Sequence, residues 1–165
     1  MTQSLPQVAH EHHSRLLHNV DAMPAMADSL MTAPAEEAWA SLVAARAFLE
    51  GTLLPHIDAS EHTIYPELER MFQNGHSMAP MRREHVEIRR LVAEFAAVGD
   101  KQATEPLTLA RTLAVRRTLF QLYALLKIHL AEEEAYLRIV ERGVAPDEAD
   151  VLAAGMAHPI GAAAG

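Results

Sequence analysis

Apolar and polar positions alternate with the three-to-four-residue period of a helix along most of the chain, and runs of β-branched residues are absent. Sparse proline, glycine and asparagine signals divide this pattern into four long pieces rich in good helix formers. The pattern predicts helices over residues 6–30, 35–73, 79–98 and 105–142. It also predicts a short fifth helix after Pro146, over residues 147–156, followed by a flexible tail.

Four long helices joined by short loops are typical of an all-α protein. We therefore expect an antiparallel up-down-up-down four-helix bundle within residues 1–145, with residues 146–165 forming the short helix and tail. Three prolines lie inside the predicted helices, at Pro24, Pro55 and Pro66. Each is expected to kink its helix or unwind it locally, because proline lacks the backbone N–H of a helical hydrogen bond.

Composition narrows the classes of protein. A hydrophobic content of 50% supports a sizeable core, and a net charge of −8 argues against nucleic-acid binding, which needs a basic surface. The lack of cysteine excludes disulfides, thiolate catalysis and cysteine-held metal clusters. No apolar run is long enough to span a membrane, and the N-terminal residues do not resemble a secretory signal. We expect a cytoplasmic protein with no membrane partner.

Histidine is unusually frequent, since ten histidines outnumber the eight aromatic residues. Each predicted helix carries one histidine on its apolar face, and the spacing within the first pair of helices nearly equals that within the second: His13, His56, His85 and His129. Glu133 follows His129 by one helical turn and shares its face. Buried imidazole and carboxylate groups are costly unless they are paired or bound to metal. In-phase placement of all five predicts a metal site, of the kind that suits iron, manganese or zinc.

The first helix leaves the choice of histidine open. Apolar phase favours His13, whereas the position of His12 directly after a glutamate, like that of His85, favours His12. His10 lies one turn before His13 and is a candidate fifth histidine ligand. Three further histidines are expected on the surface or in loops: His18, His76 and His158.

The sequence resembles a known family in the stretches LLPHIDASEHTIYPELERM, RREHVEIRRL and IHLAEEEAYL, combined with a histidine in the first helix. These segments are similar to the signatures of hemerythrin-like (HHE cation-binding) domains, over roughly residues 8–142. Within that family the chain looks most like the hemerythrin-like proteins of actinobacteria, including mycobacteria. The resemblance implies two iron ions in an oxo- or hydroxo-bridged centre, held by histidines and two bridging carboxylates.

One departure from the family pattern concerns the second helix. The family usually reads His-x-x-x-Glu-Glu there, but this chain has Ser60 at the first acidic position and Glu61 after it. A kink at Pro55 or a locally wide helical turn would carry Glu61 inward as the second bridging ligand. His62 could instead take that place, or Glu61 could be solvated beside a weaker, mononuclear site. The predicted metal ligands are His13, His56, Glu61, His85, His129 and Glu133.

The resemblance implies a function in handling a small diatomic ligand or peroxide, with an electron donor of unknown identity. Nitric oxide or peroxide is favoured over bulk oxygen transport. The alternatives are oxygen or iron binding, storage or sensing without turnover, and a metal-free helical interaction module. We expect a monomer or weak dimer, a solvated face carrying Glu132 and Glu134, and a tyrosine that donates a hydrogen bond near the metal. The residues expected to form an apolar wall are Leu16, Ile64, Ile88, Leu126 and Leu137.

Overall fold

The computed structural model describes residues 5–99 and 107–143, and this part of the chain contains helices and no strand. The helices are α1 (Leu5–Ser29), α2 (Ala35–Phe48), α3 (Leu54–His62), α4 (Ile64–Met71), α5 (Ala79–Gly99) and α6 (Leu109–Gly143). A π-helical turn, Leu49–Leu53, joins α2 to α3. The predicted all-helical class is confirmed. The predicted fifth helix and tail, residues 146–165, lie outside the described residues.

The ends of the helices follow local hydrogen bonding. Helix α6 begins later than predicted, because the carbonyl of Thr108 accepts the backbone N–H of Thr112 and its hydroxyl accepts that of Arg111. Helix α4 ends at Met71, and two residues later Gln73 adopts a left-handed conformation with φ 51°. None of the described helices is both long enough and apolar enough to cross a membrane.

The second predicted helix corresponds to α2, the π-helical turn, α3 and α4. It has two local irregularities, both beside prolines. The π-helical turn immediately precedes Pro55, which lies in the first turn of α3. Thr63, at φ −116°, separates α3 from α4 three residues before Pro66, which has no N–H to offer the preceding turn. The local unwinding expected at these two prolines is present, whereas α1 continues through Pro24 without a break.

The buried apolar side chains form two clusters that the helices share. The larger cluster includes Trp39, Leu42, Leu91, Phe95 and Leu119. The smaller one comprises Ile64, Tyr65, Leu68, Met78, Met81, Leu137 and Val140. Along α6 the larger cluster ends at Leu130 and the smaller begins at Leu137, with the buried Glu133 between them. A layer of buried polar groups therefore lies between two apolar regions.

Contacts between helices set the register of this polar layer. Between α1 and α6, Asp21 pairs with Lys127 at 2.9 Å and Asp28 with Arg116 at 2.7 Å, so residue numbers rise along one helix as they fall along the other. The same antiparallel order places His13 of α1 against Glu133 of α6. These ion pairs are largely exposed and contribute little stability. With this alignment, the buried polar residues of α1 and α6 lie at the same level along the two helices.

Packing of the larger cluster makes Leu119→Ala a test of the fold. Leu119 is fully buried, and its truncation should lower the free energy of unfolding by about 2–5 kcal/mol through lost transfer energy and a cavity. Leu113→Ala, on the same helix but 47% exposed, is the matched control and should cost less than about 0.5 kcal/mol. Urea denaturation measures both, and equal losses would contradict this packing.

Candidate metal centre

The polar layer contains seven side chains that are each at most 3% exposed: His12, His13, His56, Ser60, His85, His129 and Glu133. The four histidines predicted from apolar phase and Glu133 all lie in it. They come from α1, α3, α5 and α6, one helix for each predicted histidine. The layer divides into two groups of histidines, with Glu133 close to both.

The first group contains His13, His56 and Glu133. Glu133 Oε2 lies 2.9 Å from His56 Nε2 and 3.2 Å from His13 Nε2. Each of these three residues offers one metal-ligand atom, and these atoms lie within 4.8 Å of one another, a spacing that fits one metal ion. On the opposite edge of the His56 ring, His12 Nε2 lies 2.9 Å from His56 Nδ1.

The second group contains His85, His129 and Tyr65. The Nε2 atoms of the two histidines face each other at 3.0 Å, and the Tyr65 hydroxyl lies 3.2 Å from His85 Nε2. The Tyr65 ring stacks on the His85 ring, with centroids 5.3 Å apart. Burial, followed by the nearby carboxylates of Glu133 and Glu61, raises the pKa of Tyr65 above its usual value. Tyr65 therefore keeps its hydroxyl proton within this group.

Carboxylates occupy the outer edges of three of the imidazole rings. The Nδ1 atoms of His85, His129 and His13 donate to Glu61 at 2.7 Å, Glu84 at 2.8 Å and Glu134 at 3.2 Å, respectively. These glutamates are only about a quarter exposed, whereas the histidines are buried. Each pair joins side chains from two different helices.

The hydrogen-bonding arrangement leaves lone pairs converging inside the layer. An ionised carboxylate only accepts hydrogen bonds, so we assign a proton to Nδ1 of His85 and of His129 and leave Nε2 as the metal-binding nitrogen. Both Nε2 atoms then carry lone pairs 3.0 Å apart, and the Tyr65 hydroxyl can donate to only one of them, His85 Nε2. His13 Nε2 and Glu133 Oε1 are likewise buried without a hydrogen-bond partner. Buried acceptors that face other acceptors need a cation between them, so the residues present fit a bound metal.

Electrostatics keep His85 and Glu133 in the protonation states that bind metal. Burial and the neighbouring His129 lower the pKa of His85 to about 4, so its imidazole is neutral at physiological pH. Burial opposes ionisation of Glu133, but the neighbouring His56 and His13 hold its pKa well below the usual value. A neutral His85 and an ionised Glu133 are in the protonation states that metal coordination requires.

The pKa values of the two adjacent histidines of α1 shift in opposite directions. Burial and the neighbouring His56 and His13 lower the pKa of His12 to about 3, so His12 is neutral. Burial also lowers the pKa of His13, but Glu133 and Glu134 raise it by more. The net effect is a raised pKa, so a metal ion must displace any proton that His13 holds.

Glu61 does not share the inner side of the layer with Glu133. The π-helical turn precedes His56, so it leaves the helix between His56 and Glu61 regular and does not turn Glu61 inward. Ser60 faces the core instead, fully buried, with its hydroxyl unpartnered. Glu61 lies against the Nδ1 edge of His85, away from the nitrogen that faces the other histidine. Glu61 thus lies at the outer edge of His85, and the bridging role expected of it stays a prediction.

The remaining histidine alternatives are also placed. His62 is exposed, and its Nδ1 donates to the carbonyl of Asp58 at 2.6 Å, so it does not reach the layer. His18 and His76 are exposed, as expected. The side chain of His10 and all of His158 lie outside the described residues.

Sequence reasoning missed several residues of the site. Both His12 and His13 are buried, and Glu134, expected on a solvated face, contacts His13. Spacing could have found His12, because the contacting pairs His12–His56 and His85–His129 are both 44 residues apart. Their ring centroids are also equally distant, at 4.7 Å. No sequence signal marked Glu84.

The sequence was compared with models of known protein families. The sequence model of the Hemerythrin HHE cation binding domain matches residues 6–137. The chain belongs to the hemerythrin HHE family. No curated protein and no solved structure matched the chain significantly. The predicted family is confirmed, and cation binding by HHE domains agrees with a buried layer rich in acceptors and short of donors.

The central position of Glu133 in this HHE domain gives a direct test. Glu133→Ala removes the carboxylate that contacts His13 and His56, so metal retained per chain should fall at least about 10-fold, as for loss of a ligand or its support. Glu132→Ala alters the preceding, exposed glutamate and should leave metal content unchanged. Elemental analysis of both purified variants supplies the measurement. Equal metal content in the two would show that Glu133 does not hold the ion.

Proposed function

We propose that this HHE domain holds two iron ions and reacts with nitric oxide or peroxide. The observation that carries the proposal is the division of the buried acceptors into two histidine groups, with Glu133 in contact with the first and one helical turn from His129 of the second. His13 and His56 would hold one ion and His85 and His129 the other, with Glu133 shared. The proposal includes the up-down-up-down bundle, in which each of the four predicted helices supplies one histidine to the centre.

The surroundings of the two groups favour a small ligand. Five apolar residues around the layer are at most 2% exposed: Leu16, Ile64, Ile88, Leu126 and Leu137. Such a wall excludes water from the centre, and the Tyr65 hydroxyl holds a proton beside His85. Bound iron would supply an open coordination position and exchangeable electrons. The resemblance to actinobacterial hemerythrin-like proteins favours nitric oxide or peroxide, with electrons from a donor of unknown identity.

A second candidate is binding, storage or sensing of oxygen or iron without turnover. The same apolar wall favours it, because reversible ligand binding needs an environment that limits further chemistry. A cleft of about 580 Å³ between α1 and α6 is lined by His13 and Glu134 and offers a route for iron or a small ligand. Turnover kinetics distinguish the two candidates, since only the first consumes nitric oxide or peroxide catalytically.

Iron content and optical spectra test the proposal directly. Protein produced in iron-supplemented medium should retain two irons per chain and show the near-ultraviolet bands of an oxo-bridged diferric centre. Azide or nitric oxide at millimolar concentration should shift those bands by occupying the open position. Iron well below one per chain, or bands that neither ligand perturbs, would contradict the proposal.

The proton on Tyr65 gives a test of reactivity separate from metal binding. Tyr65→Phe removes a donor within the second group and should slow peroxide or nitric oxide turnover at least about 10-fold, because positioned proton donors contribute that much or more. Iron content should stay at the wild-type value. Tyr136→Phe is the matched control, since Tyr136 packs beside the smaller apolar cluster, against Phe72. Equal rates in the two variants would show that the Tyr65 proton is not used.

A further inference from the structure

The outer edges of the four imidazoles are connected from helix to helix around the bundle. Helix α3 supplies the partner of the α5 histidine, α5 that of the α6 histidine, and α6 that of the α1 histidine. Helix α1 completes the circle with a histidine in place of a glutamate. The pairs are Glu61–His85, Glu84–His129, Glu134–His13 and His12–His56, at 2.7, 2.8, 3.2 and 2.9 Å. We call these four partners the outer ring.

Burial shows which side of the outer ring faces water and which faces the interior. The glutamates are 25–28% exposed, so their carboxylates reach water, whereas the histidines they contact are at most 3% exposed. Each carboxylate accepts a proton-bearing Nδ1 and so turns the Nε2 lone pair toward the interior. His12 is the exception, because an imidazole can donate as well as accept and leaves the tautomer of His56 open.

Charge gives a second reason for the outer ring. Two buried divalent cations need four negative charges for balance, and the inner layer supplies one, from Glu133. Glu61, Glu84 and Glu134 bring three more carboxylates, each one imidazole ring away from the centre. Two of them also pair with arginines, Glu61 with Arg89 at 3.8 Å and Glu134 with Arg138 at 3.5 Å, so they balance the ions only in part. Hydrogen-bonded outer carboxylates raise the basicity of histidine ligands and hold their rings in place.

We propose that Glu61, Glu84 and Glu134 are positioning residues that orient the metal-binding histidines and balance the charge of the bound ions. This inference rests on the proposed metal site and assigns Glu61 to the outer edge of His85 rather than to a bridge between the ions. It predicts that the three glutamates act on metal affinity through the histidines, without touching the metal.

The experiment uses the full chain, stripped of metal and titrated with Co²⁺ against a competing chelator. Glu61→Ala, Glu84→Ala and Glu134→Ala should each weaken Co²⁺ binding about 10-fold to 100-fold. The corresponding glutamine variants keep an oxygen that accepts from Nδ1 but lose the charge, so they should recover part of the affinity. Glu87→Ala in α5 and Glu132→Ala in α6 are the controls, because both glutamates are exposed and neither is bonded to a histidine. The controls should bind Co²⁺ like the wild type.

A second readout reports positioning in the metal-free chain. Nitrogen-15 NMR of the histidine rings should show protons on Nδ1 of His85 and His129 in the wild type. Loss of Glu84 should broaden or shift the His129 signals, whereas the Glu87→Ala control should leave them unchanged. Thermal unfolding of each variant checks that the fold is retained.

The outcomes separate this inference from the proposed function. A wild-type chain that binds no Co²⁺ overturns both. Wild-type affinity and unchanged ring signals in all three alanine variants overturn only the positioning role. If Glu61→Ala loses one ion entirely and Glu61→Gln restores nothing, Glu61 is a ligand and the outer assignment is wrong.

Discussion

The lone pairs of buried imidazoles that face one another are the constraint on which the rest of the structure depends. His85 Nε2 and His129 Nε2 approach to 3.0 Å, and Glu133 lies against His13 and His56 with one oxygen unpartnered. In water each of these acceptors would find a donor, whereas in this core the Tyr65 hydroxyl can donate to His85 Nε2 but Glu133 Oε1 and His13 Nε2 have no partner. Desolvation of unpaired polar groups costs several kcal/mol in total. A bound cation offsets that cost, so metal binding and folding stabilise each other.

The packing of the helices supports this layer from both sides and at its edges. Apolar clusters lie on both sides of it, and every histidine is supported from a neighbouring helix. Since the outer partners connect α3 to α5, α5 to α6, α6 to α1 and α1 to α3, a shift of any one helix would break two of these contacts. The rings are therefore oriented before a metal arrives, which lowers the reorganisation that binding needs.

Much of the fold and part of the site could be predicted from the sequence. Helical phase placed His56, His85, His129 and Glu133 on buried faces because apolar neighbours one turn away fix the orientation of each face. The family segments indicated metal binding only as a resemblance, which the family match supports.

The rest depends on tertiary contacts that a periodic pattern does not contain. His12 and His13 point about 100° apart, and both are buried because α1 packs against His56 on one side and Glu133 on the other. A single apolar stripe can favour only one of them. The position of the π-helical turn, before His56 rather than after it, decided the orientation of Glu61. The contact of Glu84 with His129 joins two helices and has no local signature.

Ser60 shows why the two halves of the centre differ. It stands one turn after His56, as Glu133 stands one turn after His129, so the two positions correspond in the repeated helix pairs. One carries a buried carboxylate and the other a buried hydroxyl without a partner. The carboxylate charge of the inner layer therefore comes from α6 alone, and any cation near α3 must depend on Glu133 or on charge outside the layer. Glu61 lies against the outer edge of His85, so its carboxylate is such a charge outside the layer. With Ser60 inside the layer and Glu61 next to it in sequence, the negative charge of this turn of α3 lies at the outer edge, where water can still solvate it.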